Sequence, residues 1–485
     1  MYRSLRLTAN LTAISALFIF TAAGCNPPPP VYSPTPSGSG DRGGTYESPQ
    51  TSGGGSQMQS IPTIYPTDAA DASFLRVQGP DIVNGQGQKV VLRGINFGNW
   101  LLWEGGSLKI VNVAESKLRK LLEEKADTGK VALFFKTIVE YHTVKEDFRI
   151  AKAEGLNVVR LCFHHRYVQE EPTELDQAVQ WAKEAGIYVI LNFHAAPGSQ
   201  APAYFADSDG EMYFWDKRSY QEVFFKKWEI LANRYKGESI VAGYEILNEP
   251  AAPNGSQVTK IYKEAVERIR AIDPDHIIFL DGNQYAADPR VLDPPFTENV
   301  VYMCHQYEKT LREMKQWIES KGWLAFRDKY NVPLMCSEYA YDLDGDRYFE
   351  SVGIHWSPWA HQKLTSTWTD WVLSISRKNR GEINTIQTDI INHVQSTDLS
   401  SGCKNDVISL LQNYQQVDLK VEMRNLSRKY PQDEEAILVL LKEIRNIREV
   451  AWIRMMAQTL NQMPDEEIIN LAKNMRDRSG QQFPR

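Results

Sequence analysis

From residue 74 onward, short apolar runs rich in β-branched and aromatic residues alternate with longer amphipathic stretches such as Glu174–Ala185 and Val258–Ile272. Apolar strands that alternate with helices predict a parallel sheet covered by helices on both faces. The predicted strands lie at 94–97, 157–163, 187–194, 240–248, 276–280, 300–305, 332–337 and 353–359. Eight such units fit a closed barrel better than an open doubly wound sheet. We therefore predict an α/β fold, a (β/α)₈ TIM barrel, over residues 74–373.

Two further runs lie ahead of the barrel. Phe74–Val77 and Lys89–Leu92 flank the turn-rich segment Asn84–Gly87. This pattern predicts a β-hairpin at the entrance to the main fold.

The first 24 residues have the pattern of a targeting segment. Arg3 and Arg6 precede the mostly apolar run Leu11–Ala23, which is too short to span a bilayer comfortably. The run ends at Ala22-Ala23-Gly24-Cys25, which resembles a bacterial lipoprotein cleavage box. That resemblance implies removal of residues 1–24 and lipidation of Cys25. The alternative is an ordinary secretory leader with an incidental cysteine. In both cases we expect a bacterial cell-envelope protein, lipid-anchored to a membrane or secreted.

The segments that flank the predicted barrel differ from it in composition. Residues 25–73 are rich in Pro, Gly, Ser and Thr and too poor in apolar residues to fold, which predicts a flexible linker. After residue 373 the strand pattern stops, and apolar residues recur at helical spacing after Asp433. A second helix is expected to begin near Pro464, with the proline in its first position. We predict an α-helical domain of unknown function over 374–485, packed on the barrel or on a partner protein.

Charge and composition exclude several function classes. The formal net charge of −7 over 485 residues argues against a nucleic-acid-binding surface. The sequence has neither a G-x-G-x-x-G nor a Walker-type loop after any predicted strand, and it has no C-x-x-C-H. Five cysteines in so long a chain exclude a disulfide scaffold. We therefore expect no cofactor and no nucleic-acid partner.

Polar residues are concentrated at the carboxyl ends of the predicted strands, where TIM barrels carry their chemistry. Glu249 follows the fourth strand and Glu338 the seventh, so the two carboxylates are well placed to face each other across the barrel mouth. Cleavage of a glycosidic bond needs one acid to protonate the leaving oxygen and one carboxylate to attack or to activate water. Arg160, at the second strand, could keep one of the two ionised. Glu245 is expected to be an ion partner inside the barrel.

Three segments together resemble glycoside hydrolase family 5, the former cellulase family A. They are Arg93–Leu101, Leu247–Pro250 and Pro333–Glu338, in the order and at the spacing of that family. The resemblance implies that Glu249 is the general acid/base and Glu338 the nucleophile of a retaining β-glycosidase. It also implies that Asn248 hydrogen-bonds the sugar 2-hydroxyl.

Further roles follow from the same resemblance. Arg160 and Tyr307 would hold Glu338 in place. His194 and His305 would line the subsite where the bond breaks, and Trp359 would stack under the sugar ring there.

Two segments, Trp103-Glu104 and His194–Gln200, look most like the exo-β-1,3-glucanase branch of the family. In that branch an acidic residue after the first strand grips the terminal glucose, a role that would fall to Glu104. The expected substrate is therefore a β-glucan, β-1,3-linked or cellulose-like. A β-mannanase and a transglycosylase, which use the same pair of glutamates, are alternatives.

The sequence departs from the family pattern at two places. Ser337 stands where the family usually has glycine, a change that we expect to be tolerated. Only Asp342–Gly353 can form the helix before the last strand, which favours a distorted crossover there. In that case Trp356 would replace Trp359 as the stacking residue. This departure also motivates a rival hypothesis, a non-catalytic carbohydrate-binding or envelope protein on a degraded barrel.

A metal site is the alternative reading of the histidines at the barrel mouth. Three histidines, His164, His165 and His194, could together hold zinc. Histidines in such positions commonly hydrogen-bond sugar hydroxyls or carboxylates instead, and we expect no metal.

Overall fold

A short hairpin precedes the barrel in the computed structural model, which describes residues 73–340, 343–361, 364–412 and 425–476. Strand β1 (Arg76–Gln78) pairs antiparallel with β2 (Asp81–Val83). The predicted partner Lys89–Leu92 was wrong, because Lys89 forms only a single bridge to Val83. The turn at 79–80 closes the hairpin first. The targeting segment, Cys25 and the linker up to residue 72 lie outside the described residues.

Eight parallel strands form the central sheet and confirm the predicted TIM barrel. They follow one another in chain order, and each pairs with its neighbours in the sequence. The sheet closes where Arg93 bridges Trp356 and the Trp356 amide donates to the Leu92 carbonyl. The strands are β3 (Gly94–Leu101), β4 (Val158–His164), β5 (Tyr188–Ala195), β6 (Val241–Glu245), β7 (Ile277–Asp281), β8 (Val300–His305), β9 (Leu334–Glu338) and β10 (Ile354–Trp356).

Helices occupy the connections between the strands. Those between β3 and β4 are α1 (Glu115–Lys125), α2 (Thr128–His142) and α3 (Lys145–Ala153). The later connections contain α4 (Thr173–Ala185), α5 (Arg218–Tyr235), α6 (Gly255–Arg270), α7 (Asn283–Ala286), α8 (Leu311–Ser320), α9 (Trp323–Tyr330) and α10 (Leu343–Ser351).

The last crossover is intact, contrary to the expected distortion. Helix α10 has nine residues, and β10 pairs with β9 in parallel register from Ile354 opposite Leu334. Gly353 follows the helix with a φ of 71°, a left-handed conformation that lets the chain turn directly into the strand. A short helix is therefore sufficient here.

The C-terminal helices confirm the predicted helical region. They are α11 (Ser366–Lys378), α12 (Arg380–Ser396), α13 (Ser401–Gln412), α14 (Glu434–Gln462) and α15 (Asp465–Lys473). Pro464 is the residue before α15 and not its first residue, so that detail was wrong. Within the described ranges, no helix combines the length and the apolar character needed to cross a bilayer.

A second hydrophobic core, which we call the helical core, joins α11–α15 to α1, α2 and the loop after β3. Trp103 of that loop contacts Phe134 and Phe135 on α2, with ring centroids 6.0 and 5.6 Å away. The Nε1–H group of Trp368 on α11 donates to the Leu108 carbonyl of the same loop. The C-terminal helices therefore pack directly on a segment that leads to the barrel mouth.

Candidate active site

Arg160 on β4 is the centre of a buried hydrogen-bond network at the carboxyl end of the barrel. Its side chain has no exposed surface. Nε and Nη2 each donate to Glu245 at 2.6 Å, and Nη1 donates to one oxygen of Glu338 at 2.6 Å. The same guanidinium also donates to the side-chain carbonyls of Asn96 and Asn248, at 2.7 and 2.6 Å. As expected, Glu245 is an ion partner within the barrel.

Glu338 is the last residue of β9 and lies between two donors. Arg160 Nη1 binds Oε1, and the Tyr307 hydroxyl donates to Oε2 at 2.7 Å. Burial raises the pKa of this carboxyl, while the positive charge of Arg160 and the hydrogen bond from Tyr307 act in the opposite direction.

Glu249 lies in the loop after β6 and has different surroundings. Its own φ is 44°, an uncommon backbone conformation for a residue other than glycine. Its amide donates to Asp281 at 2.8 Å, and His305 Nδ1 lies 2.7 Å from its Oε1. Burial, and then the negative charges of Glu338 and Asp281, raise the pKa of Glu249 well above its ordinary value. At neutral pH this favours the protonated form.

The two carboxyl groups converge. One side-chain oxygen of Glu249 and one of Glu338 lie within 4.8 Å of each other, with His305 between them. Both side chains keep a small exposed fraction, 9% and 5%. A separation near 5–5.5 Å is typical of glycosidases in which one carboxylate attacks the sugar directly.

One wall of the site is formed by Glu104, His194 and Trp359. The Trp359 ring lies 5.4 Å from the imidazole of His194, between centroids, and is partly exposed. His194 Nε2 is 3.6 Å from Glu104 Oε1. Burial raises the pKa of Glu104 to about 8. Trp356 is buried on β10, so it does not replace Trp359 at the mouth.

Asn248 leaves a polar group available in this site. Its carbonyl oxygen accepts from Arg160, which directs the Nδ2 group away from the arginine. Nδ2 is buried and has no hydrogen-bond partner among the described residues. A buried donor without a partner is costly unless a ligand satisfies it.

The three histidines considered as metal ligands do not come together. His194 Nδ1 contacts the side-chain oxygen Oδ1 of Asn192 at 2.7 Å, whereas His164 Nε2 contacts Asp207 at 2.9 Å. His164 and His165 lie near Asp207, a group with the spacing of metal ligands. However, His164 Nδ1 accepts the Arg166 amide and its Nε2 faces the carboxylate, so both nitrogens already have partners.

The sequence analysis missed several residues of the site. Asp281 directly follows the apolar run Ile277–Leu280, so an acidic residue at that strand end was the signal for it. Asn96 and Asn192 lie inside β3 and β5, where a polar residue within an apolar strand was the signal.

Comparison with known proteins gives the family. The sequence model described as Cellulase (glycosyl hydrolase family 5) matches residues 124–377, just over half of the chain. The chain belongs to glycosyl hydrolase family 5. It is therefore a glycoside hydrolase, and the resemblance found in the sequence is confirmed.

Several curated relatives are similar to this family 5 chain. A β-xylosidase from Phanerodontia chrysosporium is 26% identical over 340 residues, which cover 60% of this chain and 71% of the relative. A probable glucan 1,3-β-glucosidase A from Aspergillus clavatus is 29% identical over 48% of this chain, and endoglucanase C from Acetivibrio thermocellus is 26% identical over 47%. The chain spans only 59% and 61% of the length of these two relatives.

Solved structures with a similar fold include a β-glucanase from Saccharophagus degradans. It is 21% identical, covers 63% of this chain and 90% of its own, and has a TM-score of 0.43. A rutinosidase from Aspergillus niger is 16% identical, covers 57% of this chain and 91% of its own, and has a TM-score of 0.45.

Proposed function

We propose that this family 5 enzyme is a retaining β-glycosidase that acts on a β-glucan, with Glu249 as general acid/base and Glu338 as nucleophile. The observation that carries the proposal is the pair of carboxyl groups within 4.8 Å in unequal surroundings. Glu338 accepts from Arg160 and Tyr307, which favours its ionised form. The raised pKa of Glu249 favours its protonated form, which a general acid needs.

In the first step, a Glu338 oxygen forms a bond to the anomeric carbon while the bond to the leaving oxygen breaks. Glu249 gives its proton to that oxygen, and the sugar stays on Glu338 as an ester. In the second step, Glu249 takes a proton from water, and the water oxygen attacks the anomeric carbon. The ester bond breaks, and the sugar leaves with its original configuration. The Asn248 Nδ2 group donates to the sugar 2-hydroxyl in both steps.

We propose the non-reducing end of a β-1,3-glucan as the substrate, with a cellulose-like chain as the alternative. Glu104, His194 and Trp359 would bind the terminal sugar: Trp359 offers an aromatic face, and the two polar side chains offer hydrogen bonds to hydroxyl groups. His305 would line the same subsite. The relatives include a probable glucan 1,3-β-glucosidase and an endoglucanase, which supports a glucan as the substrate.

The roles of the two glutamates are tested with Glu249→Gln and Glu338→Gln, assayed on laminarin, carboxymethylcellulose and mannan. We expect both variants to lose at least a thousandfold in kcat/KM, while Glu267→Gln, an exposed helix residue, keeps wild-type activity. Wild-type turnover by either site variant would overturn its role. Proton NMR of the first anomer released tests retention, and initial inversion would refute it. Activity confined to mannan would support a β-mannanase.

Two further outcomes separate the remaining alternatives. Transfer of sugar to a second glycan without net hydrolysis would identify a transglycosylase. Binding of glycans with no product from any of the three polysaccharides would favour the non-catalytic carbohydrate-binding protein.

We also propose the organisation of the whole chain. Residues 1–24 are a lipoprotein signal peptide, 25–73 a linker, 74–373 the catalytic domain and 374–485 a helical domain. The lipid on Cys25 would anchor the enzyme to a membrane of the bacterial cell envelope. The test is Cys25→Ala expressed in a bacterium with labelled fatty acid, for which we expect loss of the label and release from the membrane fraction. Retention of both would refute the anchor.

A further inference from the structure

Ser337 occupies an unusual place in the strand that carries Glu338. Cys304 on β8 pairs with Cys336 on β9, but the next residue, His305, pairs with Glu338. Ser337 is therefore an extra residue in β9, and the local irregularity re-aims its side chain, as β-bulges next to active sites do. The side chain is fully buried, and its hydroxyl lies 3.0 Å from His305 Nε2.

The other ring nitrogen of His305 contacts Glu249. Nδ1 lies 2.7 Å from Glu249 Oε1, so a single imidazole joins the hydroxyl of Ser337 to the carboxyl of Glu249. Burial, with the nearby positive charge of Arg160, lowers the pKa of His305 well below its ordinary value, so the ring is neutral. A neutral imidazole has one N–H donor and one acceptor nitrogen. With the proton on Nδ1, His305 donates a hydrogen bond to Glu249. With the proton on Nε2, Nδ1 can only accept one.

The Ser337 hydroxyl favours one of the two tautomers. Among the described residues, His305 Nε2 is its one hydrogen-bond partner, and a hydroxyl that accepted from Nε2 would leave its own buried proton without an acceptor. Donation to Nε2 avoids that cost, and it requires the ring proton on Nδ1, from which it can be donated to Glu249.

Carboxyl groups around the ring also influence the equilibrium between the two tautomers of His305. Asp281 Oδ2 lies 3.7 Å from Nε2 and favours a proton on that nitrogen. Glu338 Oε2 lies 3.6 Å from Nδ1 and favours the opposite arrangement. His194, Arg160 and Glu104 act at longer range on His305 or Glu249.

We propose that Ser337 is a positioning residue that fixes His305 as the Nδ1–H tautomer and thereby supplies Glu249 with a hydrogen-bond donor. This inference rests on the proposed function of Glu249. The donor stabilises the ionised carboxylate that remains after Glu249 has protonated the leaving group. In the second step that carboxylate must take a proton from water, so a donor at Nδ1 keeps it oriented and charged. A glycine at position 337 has no hydroxyl and leaves Nε2 to Asp281.

The direct test uses Ser337→Ala and Ser337→Gly, which both remove the hydroxyl but differ in bulk. Loss of the donor raises the pKa of Glu249. Because Glu249 must be protonated in the first step, the fall of kcat/KM on the basic side of the pH profile follows the pKa of this group. We therefore expect the basic limb to move to higher pH by about half a unit to one unit, equally in both variants. We also expect kcat to fall more than kcat/KM, because the second step slows. An unchanged limb, or an effect seen only in the glycine variant, would overturn the inference.

Ser357→Ala is the matched control. Ser357 follows β10 and is also fully buried, but its hydroxyl has no hydrogen-bond partner among the described residues. We expect its pH profile to match the wild type. A shift as large as that of the Ser337 variants would assign the effect to packing and contradict the proposal.

Nitrogen-15 NMR of labelled histidine gives a readout that does not depend on activity. We expect the His305 proton on Nδ1 in the wild-type enzyme and on Nε2, wholly or in part, in Ser337→Ala. A wild-type proton on Nε2 would refute the role of Ser337 and leave the proposed function standing. Full activity of Glu249→Gln would instead refute the proposed function, whatever the tautomer of His305.

Discussion

The Arg160 guanidinium meets the Glu245 carboxylate through two hydrogen bonds of 2.6 Å, and neither side chain has any exposed surface. Asn192 donates a third bond to the same carboxylate at 2.7 Å. The pair fixes the guanidinium, and its remaining N–H groups then point at Glu338 and Asn248. The geometry of the candidate site thus depends on an ion pair beneath it.

Glu245→Gln is expected to destabilise the fold strongly. The change leaves the buried Arg160 with Glu338 as its remaining carboxylate partner, and breaking a buried pair in this way costs up to about 3–5 kcal/mol. Urea unfolding measures the loss. Lys183→Gln removes one partner of the surface pair Lys183–Glu238 and should change the free energy of unfolding by less than about 1 kcal/mol. Equal losses in the two variants would contradict this view of Arg160.

Azide is expected to rescue variants of the two proposed catalytic glutamates with opposite stereochemistry. In Glu249→Ala, azide can replace water in the second step and should give a β-glycosyl azide. In Glu338→Ala, azide can enter the space left by the nucleophile and should give an α-glycosyl azide. Both expectations follow from a double displacement in which Glu249 is the general acid/base and Glu338 is the nucleophile. NMR of the azide products decides, and the same anomer from both variants would disprove the assignment.

The pKa of Glu104 predicts how stability changes with pH. Between the ordinary carboxyl pKa and about 8, the folded chain holds a proton on Glu104 that the unfolded chain has released. Stability contributed by this group is therefore lost as the pH rises through that range. Glu104→Gln should reduce the fall in unfolding free energy between about pH 5 and about pH 8 by about 1–4 kcal/mol. Glu267→Gln should keep the wild-type fall, and an unaltered fall in Glu104→Gln would count against a buried neutral carboxyl.

Trp103→Ala is expected to affect substrate binding as well as stability. The Trp103 ring is buried in the helical core, while the next residue, Glu104, faces His194 in the site. Loss of the ring costs about 3–5 kcal/mol and frees the loop that presents Glu104, so KM should rise severalfold. Trp452→Ala on α14 removes a ring from the same core and should cost similar stability with KM unchanged. A KM that rises equally in both would refute a specific effect of the loop.

The sequence predicts the parts of this molecule that have a local pattern. Eight apolar runs became eight strands, and Asp433 marks the start of α14 to within one residue. The fourth strand was predicted to reach Asn248, whereas β6 ends at Glu245. Asn248 and Glu249 lie beyond the end of the strand, although the Asn248 amide still donates to the Phe193 carbonyl of β5. No local sequence pattern predicts the positive φ of Glu249.

Contacts between distant segments were not predictable in this way. Helices α1 and α2 share a core with α14 and α15, which lie about 300 residues later in the chain, and amphipathic spacing does not identify a partner. The contact between Ser337 and His305 also depends on a one-residue shift between β8 and β9. Period-two alternation would have placed the Ser337 side chain on the face opposite Glu338.

The helical core is built from segments that lie far apart in the chain, and this determines when it can form during synthesis. The loop that carries Glu104 is made early during synthesis, but helices α11–α15, which share the core with this loop, are translated only after the whole barrel. At about 5–20 residues per second, this delay is on the order of tens of seconds. Throughout that interval the barrel strands can pair while the loop remains uncovered. The wall formed by Glu104, His194 and Trp359 therefore gains its support from the helical core only after helices α11–α15 have been synthesised and have packed on the loop.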